Sequence, residues 1–346
     1  MHVTDFTHII RNAWLDYDPS RVIESVADIS AMVSTNHVYK ITFPDQRFII
    51  AKLSYFGKFK NFVEDHTIIN SLSNNLMFPY ASLLSRALMK GDKLFAHRHT
   101  NELIDAWVIF YRPVTVRTLL PKRLDEKQIK KLGGELARFH QGCHLIRNTL
   151  PISSKTLQTD LGELMAMQAT KFGQIELGIL PDEIRYQCET CLQNLETLQF
   201  DQLPKIPVFI DWNIGNFSMT ASFKLFSRWD YDWFRMSSRM MDFYFLSRVV
   251  SDIGDRTIFT YNIGVLMEER FMIFLKAYHK VYPLQENEIR LLKEVYRFFL
   301  LNYVIKDGRY FFHEVYANKL QREAYETHFP SVDSFDAEKI LKFLKI

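Results

Sequence analysis

Cysteine is scarce in this chain: Cys143, Cys188 and Cys191 are the only three among 346 residues. Three thiols cannot staple a chain of this length, so the sequence excludes a disulfide framework and fits a reducing compartment. Cys188 and Cys191 form a C-x-x-C, but no second pair or flanking histidine completes a tetrahedral zinc set, and both read as buried structural thiols on a helix. Glycine (12) and proline (11) are also few, which excludes collagen-like and low-complexity chains. No charge of one sign dominates, since 43 Lys and Arg stand against 40 Asp and Glu. The resulting net charge of +3 gives no reason to expect a nucleic-acid partner, because binding to a phosphate backbone needs a concentrated basic face. The greasiest stretch, Val295 to Ile305, contains Arg297 and Asn302 and is too short to span a bilayer, so no membrane partner is expected. The segment Met1 to Pro19 carries Asp5, Asp16 and Asp18 and no hydrophobic leader core. The cytoplasm is the expected location.

Several catalytic signatures are missing too. There is no G-x-x-x-x-G-K-[ST] phosphate loop, no G-x-G-x-x-G, no H-E-x-x-H and no G-x-S-x-G. What the chain has in abundance is apolar and aromatic material: 47% hydrophobic residues and 29 Phe. That is enough to fill the core of about two domains or of one large bilobal unit.

The first third reads as strands with one helix. Met32–Phe43 and Arg47–Leu53 are β-branched and aromatic runs flanking Pro44-Asp45-Gln46, which predicts a hairpin. Phe62, Ile68, Ile69 and Leu72 recur at helical spacing within Asn61–Leu72. Leu83–Met89 and Lys93–His97 flank a turn at Gly91 and Asp92, and the apolar run Trp107–Tyr111 is ended by Arg112-Pro113. The remainder is mainly helical, with one face of Asp125–Cys143 carrying Ile129, Leu132, Leu136 and Phe139. Two short strand-like pieces, Val208–Asp211 and Lys224–Trp229, interrupt the helices. Strands and helices do not alternate, so a doubly wound sheet is excluded.

Polar residues at the edges of apolar runs carry the chemistry. Lys52 sits inside Ile49-Ile50-Ala51-Lys52-Leu53, and a buried strand lysine needs a carboxylate partner, which Glu64 on the following helix is expected to supply. Taken singly, that pair reads equally well as a surface salt bridge. Asp211 follows Val208-Phe209-Ile210, Asn216 comes five residues later, and Asp230 follows the next strand. Two carboxylates and an amide at one end of a hairpin suit a hard divalent cation and phosphoryl transfer.

These residues resemble, in order and spacing, the aminoglycoside phosphotransferase and choline kinase-like family, small-molecule relatives of the protein kinases. Ile50-Ala51-Lys52 and Phe62-Val63-Glu64 resemble its strand Lys and helix Glu. Leu132-Gly133-Gly134-Glu135-Leu136-Ala137-Arg138-Phe139-His140 is similar to its L-G-x-x-L-A-x-L-H helix. Phe209-Ile210-Asp211-Trp212-Asn213-Ile214-Gly215-Asn216 stands for H-G-D-x-x-x-x-N, and Trp229-Asp230-Tyr231-Asp232, followed by Asp242, stands for the metal motif. The resemblance covers about residues 28–250.

It implies a bilobal α+β protein kinase-like fold, with a small-sheet lobe at 1–112 and a helical lobe at 113–346. It implies an ATP- and Mg²⁺-dependent phosphotransferase acting on a small-molecule hydroxyl such as that of an aminoglycoside, choline, homoserine or a sugar. Asp211 would be the catalytic carboxylate, and Asn216 and Asp230 the metal ligands. Lys52 would meet the nucleotide phosphates with Glu64 orienting it. Ser34, Thr35 and Asn36, with Val33, would cover the phosphates, and the backbone of Phe110, Tyr111 and Arg112 would meet adenine. Asp242 reads as structural, and His140 as bonded to backbone. The departure is Phe209 in the place of the family's His, whose ring is expected to pack behind the hairpin. It leaves a second reading, a kinase-like scaffold that binds nucleotide with little turnover.

Overall fold

The computed structural model describes residues 6–31, 36–55, 57–177, 181–252 and 261–346. The chain opens with a helix absent from the sequence reading, α1 (Thr7–Tyr17), which buries Ile9, Ile10, Ala13 and Trp14. Its N-cap position is Phe6, which makes no side-chain capping bond, so the usual start signal of a helix is missing from the sequence. Strands β1 (Ser25–Asp28), β2 (His37–Thr42) and β3 (Phe48–Ser54) precede α2 (Phe59–Asn75). After it come the two-residue β4 (Met89–Lys90) and β5 (Lys93–Leu94), then β6 (His97–Thr100) and β7 (Asp105–Tyr111). The main sheet has the order β1-β2-β3-β7-β6 and every pairing in it is antiparallel. The β2–β3 hairpin is the one expected, its turn closed by Gln46 at φ 62°. The first residues of the expected strand, Met32–Thr35, lie outside the described residues.

Strand parity decides what faces what. Alternate side chains of a strand point to opposite faces, and Ile49, Ala51 and Leu53 of β3 join Val108 and Phe110 of β7 in a core closed by α1. Ile50 and Lys52 therefore take the other face, paired in register with Tyr111 and Ile109. That face looks onto α2 and the helices that follow.

Those helices are α3 (Glu126–Ile146), α4 (Leu157–Gln168), α5 (Lys171–Leu177), α6 (Pro181–Thr197), α7 (Phe243–Val250), α8 (Glu269–Val281), α9 (Glu286–Phe299), α10 (Gly308–Phe311), α11 (Glu314–Glu323), α12 (Phe329–Ser331) and α13 (Ala337–Leu344). Between α6 and α7 run β8 (Ile206–Val208), β9 (Phe217–Met219), β10 (Leu225–Arg228) and β11 (Arg235–Ser237), which form the antiparallel pairs β8–β11 and β9–β10. β8 ends at Val208, so Asp211 sits in a loop and not on the expected strand. α3 starts on a capping box between Asp125 and Gln128. It meets α8 at Gly133, where a Cβ would come within 2.5 Å of the Phe274 carbonyl, so the backbones touch there. Cys143, Cys188 and Cys191 are buried free thiols. Among the described residues no helix is long and apolar enough to cross a membrane.

Candidate active site

The loop after β8 is held from behind by one buried carboxylate. Asp242 Oδ1 accepts the Phe209 N–H at 2.9 Å and the Ile210 N–H at 2.6 Å. Asp242 Oδ2 lies 3.0 Å from His140 Nε2, and His140 Nδ1 lies 2.7 Å from the Tyr278 hydroxyl. A carboxylate accepts in this arrangement, so His140 donates through Nε2, and its Nδ1 accepts from the Tyr278 hydroxyl. The expected backbone partner of His140 is thus replaced by two side chains, since α3 is packed directly against α8 and the Asp242 turn. Asp242 itself is structural, as expected.

This tether fixes an unfavourable backbone. Ile210 has φ 62°, a left-handed conformation costly for a β-branched residue, and such strain concentrates at functional sites. The turn brings Asp211 round to Asn216, whose Nδ2 donates to Asp211 Oδ2 at 3.0 Å, while the Asn213 N–H donates to Oδ1 at 3.1 Å. The Trp229 N–H donates to the Asn216 carbonyl at 3.0 Å, which ties Asn216 to the segment carrying Asp230.

Phe209 is fully buried. Its ring centroid lies 5.5 Å from that of Phe234 and 6.1 Å from that of Phe139 on α3, and the Arg228 guanidinium sits 4.5 Å over it. Phe209→Ala is expected to cost about 3–5 kcal/mol of unfolding free energy, as a large-to-small change in a closed core. Urea unfolding measures it, and an unchanged midpoint would contradict the packing.

Lys52 is buried, and its ammonium donates to Asp230 Oδ1 at 3.0 Å and to Asp232. The expected Lys52–Glu64 pair is not formed. Glu64 Oε1 instead accepts the Ser153 hydroxyl at 3.0 Å and the Ser154 N–H at 2.6 Å. A buried ammonium needs close compensation, and two carboxylates two residues apart supply more of it than one helix glutamate. Burial pulls the Lys52 ammonium down, but Asp230 and Asp232 outweigh it and the net shift is upward. Burial pushes Asp230 up, yet Lys52 holds it below the ordinary range. Asp232 goes the other way, pushed up to about 6 by burial and by the charge of Asp230 against the pull of Lys52. Asp230 also has a positive φ, 66°. Asp232 was not among the expected site residues, although its place in Trp229-Asp230-Tyr231-Asp232 was the signal for it.

The cluster ends a cavity of about 490 Å³ between sheet and helices, with Val38, Ile50, Tyr111 and Val116 on its walls and Lys52, Asn216 and Asp230 at its polar side. Asn36 lines it as well, donating to Asp232 and accepting from the Ser54 hydroxyl at 3.1 Å. Ser34 and Thr35 lie outside the described residues. Tyr111 and Arg112 reach the cavity, but Phe110 points into the α1 core and its carbonyl accepts the Leu88 N–H at 2.8 Å. The Arg112 N–H donates to the Arg86 carbonyl at 3.0 Å, and the Arg112 carbonyl accepts from the Ser85 hydroxyl at 3.1 Å. Parity on β7 turns the Phe110 ring away from the cavity, and its carbonyl, the backbone group expected to face the base, is taken by Leu88.

Tyr111 is oriented by His66. The His66 Nδ1 lies 2.8 Å from the Phe62 carbonyl, an acceptor only, so Nδ1 donates and Nε2 accepts from the Tyr111 hydroxyl. Burial first, and the backbone and charges around it second, leave the His66 imidazole near 3. The unfolded chain takes up this proton near 6.5 and the folded chain does not, so stability is full above that pH and falls as pH drops from 6.5 towards 3, by about 1.4 kcal/mol per unit. Asp65, pushed by burial up to about 6, contributes the opposite slope between 3.8 and 6. The difference in stability between wild type and His66→Gln, followed from pH 7 to 4, isolates the histidine; a pH-independent difference would contradict it.

A second cavity of about 440 Å³ lies on the far side of the cluster, lined by Asp232, Lys155, Asp160, Tyr303, Lys306 and Phe311 among others. Lys52 borders the first cavity and Asp232 the second, and the two side chains form an ion pair. Among the described residues no three His, Cys, Asp or Glu side chains gather where they could hold a metal ion. Asn216 and Asp230 offer two hard oxygens at the edge of the first cavity. That suits Mg²⁺, which is commonly held by one or two side chains with substrate phosphates and water completing its shell.

No protein-family model matches the sequence, and no curated protein matches it. Solved structures do. Amicoumacin kinase in complex with AMP-PNP and Ca²⁺ superposes at TM-score 0.63 and 13% identity, over 98% of this chain and 100% of that one. The aminopropanol kinase associated with a microcompartment gives 0.56 at 15% identity, over 98% and 94%. The ADP-bound aminoglycoside phosphotransferase APH(2'')-Ib gives 0.53 at 13%, over 95% and 98%.

Proposed function

We propose that this chain, which has the bilobal kinase-like α+β fold of those three proteins, is an ATP- and Mg²⁺-dependent phosphotransferase acting on a hydroxyl of a small molecule. The observation that carries the proposal is the meeting of Lys52, Asn216 and Asp230 at one side of a cavity with largely apolar walls, with Asp211 hydrogen-bonded to Asn216. The apolar walls suit a purine ring, and the charged side suits phosphates. Asn216 and Asp230 would hold Mg²⁺, which when bound offsets the negative charge of the phosphates. Lys52 is buried at the same place and donates to phosphate oxygens once it leaves its carboxylates. Asp211, aimed by the Asn213 N–H and the Asn216 amide, orients the acceptor hydroxyl and receives its proton.

The second cavity, across the Lys52–Asp232 pair, is the proposed acceptor site. The acceptor belongs to the aminoglycoside, choline, homoserine or sugar-like hydroxyl compounds, and the three neighbours, two named as kinases and one as a phosphotransferase of small molecules, support that range. In this reading the small lobe covers residues 1–112 and the helical lobe 113–346. Asn36 covers the phosphates, the Tyr111–Arg112 segment meets the base, and Glu64 acts at a distance, by fixing the 153–154 loop against α2. The second reading, a nucleotide-binding scaffold with little turnover, is favoured by Phe209 and by the engagement of Lys52 with both Asp230 and Asp232. ATP consumption against a panel of hydroxyl metabolites separates the two. Transfer to any member supports the enzyme, and ATP binding without transfer to any supports the scaffold.

A further inference from the structure

Away from both cavities, α3, α8 and α13 enclose a groove of about 1010 Å³ whose floor is apolar, formed by Gly134, Ile273, Ala277, Val281 and Phe343. Its rim is basic: Lys127, Lys130, Lys131, Arg138, Lys276 and Lys280 face a single carboxylate, Glu126. Five net positive charges on one groove exceed the +3 of the whole chain, so the remainder is acidic by two. Lys130 pairs with Glu126, and Arg138 with Glu135 at 3.0 Å. Lys127, Lys131, Lys276 and Lys280 have no carboxylate within ion-pair distance among the described residues, although the Lys276 ammonium stands 5.3 Å from the Phe343 ring centroid. The helix dipole accounts for Lys280 in the last turn of α8 but not for the α3 side of this rim. Lys127, Lys130 and Lys131 crowd the first turns of α3, where the helix dipole favours anions.

We propose that this groove docks an acidic amphipathic helix of a protein partner. A recessed apolar floor takes the apolar stripe of such a helix, and the flanking lysines take its Asp and Glu side chains. The floor is what selects this occupant. A nucleic-acid backbone needs the charge but has no use for an apolar floor, and a lipid surface is met by apolar side chains that project rather than lie at the bottom of a groove.

The test uses the full chain and a labelled peptide of about five helical turns with Leu at i, i+3, i+4 and i+7 and Glu between them. Its controls are the same residues shuffled to break the stripe, a single-stranded RNA oligonucleotide and phosphatidylserine vesicles. Fluorescence anisotropy should show saturable binding of the striped peptide, at least about tenfold tighter than the shuffled one. Two variants probe the two features separately. Lys131→Glu combined with Lys276→Glu reverses the rim, and Gly134→Leu fills the floor at unchanged charge. A Cβ at Gly134 meets only ordinary contacts, 3.7 Å from Arg138 and 3.8 Å from Val281, and leucine favours a helix more than glycine does. Each variant should weaken the striped peptide at least about tenfold while ATP binding stays at the wild-type value. Equal binding of striped and shuffled peptides, tighter binding of RNA or vesicles, or indifference to either variant would overturn the proposal.

Discussion

Asp211→Asn should slow transfer by orders of magnitude and spare nucleotide binding. The substitution keeps the size of the side chain and its place against Asn216 and Asn213, but removes the charge that receives the acceptor proton. General-base assistance of this kind is worth about 10²–10⁴-fold in rate. Single-turnover transfer should fall by that factor, with calorimetric ATP·Mg²⁺ affinity unchanged. Near-wild-type transfer would show that another group takes the proton. A parallel loss of ATP affinity would place Asp211 in the nucleotide site.

Asp242→Ala should destabilise the fold strongly, although Asp242 lies outside the loop it holds. It leaves the Phe209 and Ile210 N–H groups without their acceptor and His140 without its partner, all fully buried. Removing one member of a buried charged or hydrogen-bonded network typically costs about 3–5 kcal/mol. The same change frees Ile210 from the contact that holds it at positive φ, so Asp211 should lose its orientation as well. Unfolding in urea and transfer at low temperature, where the variant is still folded, read the two effects separately. A stability change below about 1 kcal/mol, the scale of a single ordinary hydrogen bond, would mean that the network is not what holds the loop.

The parts of the fold legible in the sequence were those governed by local pattern. The β2–β3 hairpin announced itself through its turn, and α3 through its apolar stripe. α1 was missed because Phe6 offers no cap and its burial depends on a sheet formed later in the chain. Motif spacing brought Lys52, Asn216 and Asp230 to one cavity, because strand parity and the Trp229–Asn216 backbone bond act over short distances. It failed for Glu64. Which carboxylate reaches a buried lysine depends on the approach of residues 153–154 and 230–232 to α2 and β3, and sequence spacing carries no such information. The basic groove was hidden for the same reason. Its lysines come from segments about 150 residues apart, and a nearly neutral total charge conceals them.

The most direct test of the central claim is a calorimetric titration of ATP into the wild-type chain, with and without Mg²⁺. Saturable binding at one site is expected, strengthened by Mg²⁺, and weakened in the presence of the metal by Asp230→Asn. No heat of binding at millimolar ATP, or binding that is the same with and without Mg²⁺ and indifferent to Asp230, would contradict it.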